Sequence, residues 1–373
     1  MSKILILANS SGGLYDFRNE LITRLIAQKD DVVISLPDEL RVPELMAEGA
    51  KVVHTDINRR GMNPIEDFKL LKAYENLIET EKPDMVVTYT IKPNVYGGFA
   101  ARKKGVPFIS TITGLGSAFQ DGGLKRSIIK HLVIMMYKMG LKGCSCVFFQ
   151  NKENQNKFKR FGITKKLKTR LVNGSGVDLE KHVPQDYPGH EDNVVRFLYV
   201  GRLMKEKGTA EYLEAAHLMH EKYGNKVSVA TIGYFDEDFG DLIEQARKRG
   251  ELKTIPFNKD IRPYLKEADV IVMPSYHEGM SNVLMEASAT ARPVLASNIS
   301  GCKEIVDDGE TGFLFKKQDA KALFDAMDRM ASLDVSQRRA MGLLARAKVE
   351  REFDRHSIID AYIDEILNVM EKM

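Results

Sequence analysis

The sequence predicts two α/β domains in tandem, and three observations support this fold class. The 373 residues are too many for one ordinary domain and suit two of roughly 150–200 residues each. Apolar runs without period-two alternation are each followed by a helical pattern, which is typical of buried parallel strands joined by helices. A polar segment with two prolines, residues 183–190, interrupts this series before it restarts near Asn193. The restart favours two sheets over one large sheet.

Each element follows from the local pattern in the chain. In the first half, strands are expected at 4–8, 32–36, 52–54, 85–88, 108–111 and 146–149, with helices at 15–28, 64–81, 95–104 and 124–141. In the second half, strands are expected at 197–200, 227–232, 270–273 and 294–296, with helices at 209–223, 238–249 and 282–291. Few helix breakers follow Asp334, so the last ~40 residues are predicted to be helical. The expected limits are a first domain of residues 1–180, a linker of 181–193, a second domain of 194–355, and a helix of 356–373 packing back on the first domain.

Composition and termini indicate a cytoplasmic protein. Three cysteines are too few for a disulfide framework and suit a reducing compartment. No secretory signal precedes the first predicted strand. The most apolar segment, residues 128–141, is interrupted by Lys130, His131 and Lys138 and falls short of the roughly 20 apolar residues of a membrane span.

The net charge of +3 hides a strong asymmetry along the chain. Residues 1–180 carry +9 and residues 181–373 carry −6, while residues 102–170 alone hold 16 basic and 2 acidic side chains. Within that stretch the helix 124–141 has apolar residues on one face at helical spacing, namely Ile128, Leu132, Met135 and Met139. A basic amphipathic helix predicts peripheral contact with an anionic membrane, and a core-facing helix with solvated lysines is the alternative. Nucleic acid is a poorer partner because aromatic residues are sparse and no binding motif is present.

Two constellations in the second half carry candidate chemistry. Gly201-Arg202-x4-Lys207-Gly208 follows a strand and precedes a helix, an arrangement that favours phosphate through backbone amides and two cations. It lacks the endings of a Walker loop, and an ordinary turn with solvated charges is the alternative. The second constellation runs from Glu278 to Glu286, across the end of a strand and the start of a helix. Here residues 280–283 offer amides to a second phosphate, and Glu286 is placed to reach a ribose diol.

These two motifs, together with Asn9-Ser10-Ser11-Gly12-Gly13 after the first strand, resemble the retaining GT-B glycosyltransferases of family 4. The order and spacing of the three motifs span the whole chain. Within the family the sequence is most similar to bacterial enzymes that extend polyprenyl-diphosphate-linked saccharides, through Tyr15-Asp16-Phe17-Arg18, Thr113-Gly114-Leu115-Gly116-Ser117 and Glu278-Gly279-Met280-Ser281-Asn282. The resemblance implies two Rossmann-like, doubly wound domains facing a central cleft.

The resemblance also implies a reaction and its site residues. A hexose or N-acetylhexosamine would move from a UDP-sugar to a lipid-linked saccharide at the inner face of the cytoplasmic membrane, with retention and without a metal or other cofactor. Arg202, Lys207 and Glu278 would be catalytic, the first two holding the diphosphate and the third the sugar hydroxyls. The donor would further contact Gly12, Gly13, Gly201, Met280, Ser281, Asn282 and Glu286. Acceptor-side contacts are expected from Thr113, Lys92, Arg59 and Arg60, with solvated loop charges as the alternative for the last three.

Two other enzymatic and structural interpretations stay open at the level of sequence. The histidines that many members carry after the fourth and fifth strands are replaced here by Thr88-Tyr89-Thr90 and Thr111-Ile112-Thr113, so no acceptor base is evident. A nucleotide-sugar epimerase of the same fold, or a basic membrane-binding scaffold without activity, would also suit parts of the pattern.

Asp236-Glu237-Asp238 matches a metal-binding D-x-D but lies before a helix, where acidic residues are ordinary caps. Cys144 and Cys146 lack a second pair for zinc.

Overall fold

The computed structural model describes residues 2–58, 61, 63–115, 119, 123–189, 192–234 and 239–372, except for the side chains of 124–126. The chain divides into two compact units. Met1–Ser175 and His356–Met373 form the first unit, and Gly176–Arg355 form the second. Each unit is built on its own parallel sheet.

The sheet of the first unit has seven parallel strands. They are β1 (Lys3–Leu7), β2 (Asp31–Leu36), β3 (Lys51–His54), β4 (Met85–Tyr89), β5 (Phe108–Ile112), β6 (Cys146–Phe149) and β7 (Thr169–Leu171). Their order is β3-β2-β1-β4-β5-β6-β7. Successive residues of β1 alternate between two cores, with Ile4 and Ile6 in one and Leu5 and Leu7 in the other. Burial on both faces explains why the central strands are continuous apolar runs.

Helices cover both faces of this sheet. They are α1 (Ser11–Ala27), α2 (Val42–Ala47), α3 (Pro64–Glu81), α4 (Gly98–Lys104), α5 (Leu124–Gly140) and α6 (Lys152–Arg160), with a π-helical turn at Pro93–Gly97. Helix α1 packs on one face through Leu14 and Leu21, while α3, α4 and α5 pack on the other through Tyr74, Ala100 and Tyr137. The helices after β1 and β4 therefore leave the sheet in opposite directions, which makes the gap between these strands a topological switch point.

The second unit repeats this plan with six parallel strands. They are β8 (Val195–Val200), β9 (Val227–Gly233), β10 (Lys253–Pro256), β11 (Val270–Met273), β12 (Val294–Ser297) and β13 (Gly312–Phe315), in the order β10-β9-β8-β11-β12-β13. Its helices are α7 (Thr209–Tyr223), α8 (Gly240–Lys248), α9 (Arg262–Glu267), α10 (Asn282–Ala289), α11 (Ala320–Ser332) and α12 (Val335–Glu352). Helix α7 packs on one face through Tyr212 and α10 on the other through Leu284. The switch point here lies between β8 and β11.

The chain ends in α13 (Arg355–Met370), whose residues after Arg355 belong to the first unit. Ile359, Tyr362 and Ile366 are buried in the core that also holds β1 and α1. The Tyr362 ring stacks on that of Phe148 with their centroids 4.1 Å apart. The first unit is thus assembled from both ends of the sequence.

The predicted linker of residues 181–193 lies inside the second unit, so the structure places the division of the chain earlier, between residues 175 and 176. The buried guanidinium of Arg292 donates hydrogen bonds to the carbonyl oxygens of Gln185 at 3.1 Å and Asp186 at 2.8 Å. Tyr187 donates to the carbonyl oxygen of Asp269 at 3.3 Å. These bonds hold residues 185–187 against the second unit, although the prolines and polar residues of this segment are typical of a linker.

Other differences from the prediction have local causes. Strands β7, β10 and β13 were not predicted. Strands β7 and β10 are short edge strands with polar or exposed residues, whereas β13 is a short edge strand that is mostly buried. Helix α1 begins at Ser11 instead of Tyr15, because Ser10 caps it by accepting from the Gly13 amide at 3.4 Å. The glycines after β1 therefore lie in a helix turn and not in a loop.

Candidate active site

The residues predicted to bind the donor come together at the carboxyl edge of the second sheet. Arg202 and Lys207 follow β8, and Glu278 follows β11. Helix α10, with Ser281, Asn282 and Glu286, begins directly after that loop. Ligands bind open α/β sheets outside the carboxyl ends of the strands at a switch point. The sheet order therefore explains why two motifs about 70 residues apart belong to one site.

The turn after β8 is held in place by backbone hydrogen bonds and by close packing. Tyr199 donates to the carbonyl oxygen of Arg202 at 2.8 Å, and Gly201 donates to that of Ile232 at 3.0 Å. Gly208 has a φ of +72°, and a Cβ on it would overlap the carbonyl oxygen of Pro274. Glycine is required there for both reasons. Its absence of a side chain lets the Lys207 turn lie against the β11 loop.

Lys207 and Glu278 form an ion pair at the switch point. The Lys207 Nζ lies 2.5 Å from Oε1 of Glu278, with side-chain exposures of 24% and 14%. Burial raises the pKa of the Glu278 carboxyl, but the Lys207 ammonium and hydrogen bonds from Lys207 and Ser275 outweigh it, leaving that pKa below its ordinary value. The Glu278 carboxyl is therefore ionised at neutral pH. The sequence placed both residues in the site without predicting that they pair.

At the N-terminus of α10, some polar groups form hydrogen bonds within the protein and others do not. The Ser281 hydroxyl caps the helix by accepting from the Leu284 amide at 3.4 Å. The Met280 side chain is buried in the core, which leaves its backbone as the group of this residue that could contact a donor. Oδ1 of Asn282 is buried without a hydrogen-bond partner. Glu286 is half-buried one turn further along the helix.

Two supporting elements were missed by sequence reasoning. Tyr276 joins the two loops, since its amide donates to the carbonyl oxygen of Glu206 at 2.9 Å and its hydroxyl to Oε1 of Glu211 at 2.7 Å. Gly301, after β12, has a φ of +90° and accepts from the Ser281 amide at 2.9 Å. The adjacency of β11 and β12 that brings Gly301 here cannot be inferred from sequence spacing. A glycine after a strand was the only available signal.

The residues predicted for the first unit have more varied surroundings. Gly12 and Gly13 lie in the first turn of α1, where the Asp38 carboxylate accepts from the Ser11 amide at 3.2 Å. Lys92 is paired with Asp67 at 2.6 Å, both side chains being largely buried. Thr113 follows β5 and is half-buried. Arg59 and Arg60 lie outside the described residues.

The described residues offer no cluster of metal ligands. Within the part of the chain that the structure describes, no three His, Cys, Asp or Glu side chains are grouped as metal ligands would be. The D-x-D at residues 236–238 lies outside the described residues. Cys144, Cys146 and Cys302 are free and buried.

Comparison with known proteins identifies the family. Residues 3–151 match the model of the "Glycosyl transferase 4-like" family, and residues 195–332 match that of "Glycosyl transferases group 1". The UDP-Gal:alpha-D-GlcNAc-diphosphoundecaprenol alpha-1,3-galactosyltransferase of Escherichia coli is 30% identical over 327 residues, covering 83% of this chain and 82% of that protein. The chain belongs to these glycosyltransferases. The expected family is thus confirmed, and membership favours the glycosyltransferase over the epimerase and scaffold alternatives.

Two further similarities extend over nearly the full length of this chain. The N,N'-diacetylbacillosaminyl-diphospho-undecaprenol alpha-1,3-N-acetylgalactosaminyltransferase of Campylobacter jejuni is 23% identical over 373 residues, covering 97% of each chain. Sucrose-phosphate synthase from Thermosynechococcus elongatus superimposes with a TM-score of 0.81 at 21% identity, covering 100% of both chains. The structural likeness supports the predicted GT-B fold class.

Proposed function

We propose that this glycosyltransferase moves a hexose or N-acetylhexosamine from a UDP-sugar to a polyprenyl-diphosphate-linked saccharide. The observation that carries the proposal is the Lys207–Glu278 pair beside the N-terminus of α10 at a switch point. A cation, a carboxylate and helix amides are the groups that a sugar diphosphate requires. The names of the Escherichia coli and Campylobacter jejuni relatives, both acting on diphospho-undecaprenol saccharides, support the acceptor class.

The donor groups divide by chemistry. Arg202 and Lys207 bind the diphosphate, with the amides of residues 280–282 at the start of α10. Glu278 accepts hydrogen bonds from hydroxyls of the donor sugar, and Glu286 accepts those of the ribose. Glu278 is suited to this because its lowered pKa keeps it an acceptor at neutral pH. Gly201 allows the diphosphate to approach the backbone.

The reaction follows from these positions. The bond between the sugar C1 and the β-phosphate oxygen breaks, and the acceptor hydroxyl oxygen bonds to C1 on the same face. The acceptor proton passes to the departing phosphate oxygen, and attack on the face that the phosphate leaves retains the configuration at C1. Negative charge grows on the UDP as it leaves, so Lys207 and Arg202 accelerate the step by stabilising that charge.

The surface of α5 supports membrane contact. Ile128, Leu132, Met135 and Met139 are 61, 40, 52 and 49% exposed, so the apolar stripe of α5 is not in the core. Instead, Val133, Ile134 and Tyr137 fill the core from the opposite face. No described helix is long and apolar enough to cross a membrane. We propose that the stripe inserts into the interface of the anionic inner leaflet.

The charge around α5 fits this orientation. Part of the basic stretch is neutralised elsewhere, since Lys103 pairs with Glu75 at 2.9 Å and Lys168 with Glu365 at 2.7 Å. Lys138 and Lys142, on and just after α5, are exposed and form no ion pair with a described residue. These two lysines therefore place unneutralised charge near the apolar stripe, where each basic residue adds about 1 kcal/mol of attraction to an anionic surface.

The activity is tested with purified protein, a panel of UDP-, GDP- and ADP-sugars, and a polyprenyl-diphosphate-linked saccharide. UDP-sugar should give a glycosylated lipid and one UDP per transfer, and UDP alone should raise the melting temperature. Product without the lipid acceptor would indicate epimerisation or hydrolysis instead. Unchanged transfer in Arg202→Ala, Lys207→Ala and Glu278→Ala would contradict the site.

The membrane contact is tested by flotation on vesicles with and without phosphatidylglycerol. Met135→Ser should lower binding roughly tenfold, because one apolar side chain then stays outside the bilayer. Leu242→Ser on α8 is the matched control, since Leu242 is also 52% exposed. Equal binding of the two variants would contradict insertion of the α5 stripe.

A further inference from the structure

The switch point of the first unit contains a buried arginine that no carboxylate among the described residues neutralises. Arg18 on α1 is 7% exposed and forms no ion pair with a described residue. Its Nη1 donates to the carbonyl oxygen of Phe17 at 2.7 Å. The guanidinium carbon lies 5.4 Å from the ring centre of Tyr89 and 5.8 Å from that of Tyr362. Because buried charges are ordinarily paired, this one calls for an anion that the chain itself does not supply.

Three polar atoms at the same place lack hydrogen-bond partners. They are Nε of Arg18, the hydroxyl of Tyr89 and Oγ1 of Thr90, all buried. Native proteins leave few such groups unsatisfied, and these three lie where α1 and the end of β4 meet the carboxyl edge. Thr90 has a φ of +74°, which is strained for a β-branched residue. Strain and unmet hydrogen bonds coincide at the position where this sheet would bind a ligand.

Arg18 is also connected to the loop after β5. The Gln150 amide, in the orientation that satisfies both of its ends, accepts from Nη2 of Arg18 at 2.9 Å and donates to the carbonyl oxygen of Thr113 at 3.0 Å. The ends of β4, β5 and β6 are thereby linked through one guanidinium. An anion at this edge would meet groups whose positions are already fixed.

We propose that Arg18, with the hydroxyls of Tyr89 and Thr90, forms a diphosphate subsite in the first unit. The guanidinium supplies the charge and the planar fork that suits phosphate oxygens, and the two hydroxyls donate hydrogen bonds once they turn toward the anion. Its assignment to the diphosphate of the lipid-linked acceptor rests on the proposed function. The subsite itself rests only on the unpaired charge and the unpartnered atoms.

The subsite is tested by titrating inorganic pyrophosphate calorimetrically into the full chain saturated with UDP, which occupies the second unit. Arg18→Met should weaken pyrophosphate binding at least about tenfold, since a charged hydrogen bond is lost. Tyr89→Phe should weaken it several-fold with little loss of thermal stability, because that hydroxyl lies beside the Arg18 guanidinium without a well-aligned hydrogen bond in the protein. A merely structural role predicts no such separation of affinity from stability.

Arg170→Met is the matched control. Arg170, like Arg18, contacts α13 and an aromatic ring. It donates to the carbonyl oxygen of Ala361 at 2.8 Å and lies 5.7 Å from the Phe148 ring, but Glu365 neutralises it. Its removal should leave pyrophosphate affinity unchanged. Equal affinity of wild type, Arg18→Met and Tyr89→Phe, or an equal loss in Arg170→Met, would overturn the subsite. Should Arg18→Met fail to fold, Tyr89→Phe decides alone.

Two-substrate kinetics then separate the subsite from the proposed reaction. If the diphosphate is that of the acceptor, Arg18→Met raises the acceptor KM about tenfold and leaves the donor KM unchanged. An unchanged acceptor KM overturns that assignment. An absence of transfer by the wild type with every donor and acceptor contradicts the proposed function, while the pyrophosphate titration still tests the subsite.

Discussion

The two units share a strand order and differ in how they treat charge where that order reverses. In the second unit Lys207 and Glu278 neutralise each other at 2.5 Å. In the first, Arg18 faces aromatic rings and no described carboxylate. The helix N-termini differ in the opposite sense, because the Asp38 carboxylate occupies that of α1 while a neutral Ser281 hydroxyl caps α10. Topology thus places a ligand edge in each sheet, and local side chains decide which group is available to an anion.

Lys207→Ala should have the largest effect on activity, because it removes the cation of the Lys207–Glu278 ion pair. The departing diphosphate loses a cation and Glu278 loses its counter-charge, so kcat should fall about 10²–10³-fold and the pKa of Glu278 should rise. Initial rates at saturating donor and acceptor measure this. Lys205→Ala, at an exposed position of the same turn, should change kcat less than about twofold. Comparable losses in both variants would mean that general charge, and not the pair, matters.

Gly208→Ala tests the turn of residues 201–208, which brings Lys207 next to Glu278. The first unit has no equivalent turn, because β1 leads almost directly into α1. Gly208 and Gly250 have φ values of +72° and +76°, but only at Gly208 would a Cβ meet other atoms. Gly250→Ala should therefore cost about 1 kcal/mol for the backbone conformation alone. Gly208→Ala should cost about 3 kcal/mol or more because overlap with Pro274 is added. Urea unfolding measures both, and equal costs would contradict the packing argument.

The two units also differ in how much of their switch points could be predicted from the sequence. The strand positions and the 278–286 and 201–208 motifs were evident because buried parallel strands are continuous apolar runs and turns after them concentrate polar residues. Strands β7 and β10 were not, since their half-exposed residues carry no periodic pattern. The importance of Arg18 could not be predicted either. An unpaired charge is defined by the acids that are missing around it in space, and no spacing along the chain records that.

Glu278→Gln should make the stability of the second unit less dependent on pH. The lowered pKa of Glu278 means that its ionised form stabilises the fold above the ordinary carboxyl pKa, and that this contribution is lost as pH falls through the folded-state value. Glu278→Gln should cost about 1–3 kcal/mol at pH 7 by leaving Lys207 unpaired. The difference from wild type should shrink towards pH 3 in urea unfolding series. Parallel stability curves would show that the pair does not titrate as described.

The smallest effects concern the two helix caps and compare their charges directly. Asp38→Asn keeps a hydrogen-bond acceptor for the Ser11 amide but removes the charge near the α1 dipole, which should cost about 0.3–1 kcal/mol. Ser281→Ala removes a neutral cap of α10 and should cost about 1 kcal/mol. Salt distinguishes them: the Asp38→Asn cost should diminish at 0.5–1 M salt, where the Debye length falls to roughly 3 Å, and the Ser281→Ala cost should not. If salt reduced both costs equally, the charge of Asp38 would not be what stabilises the α1 N-terminus. The proposed difference between a charged group at α1 and a neutral cap at α10 would then be wrong.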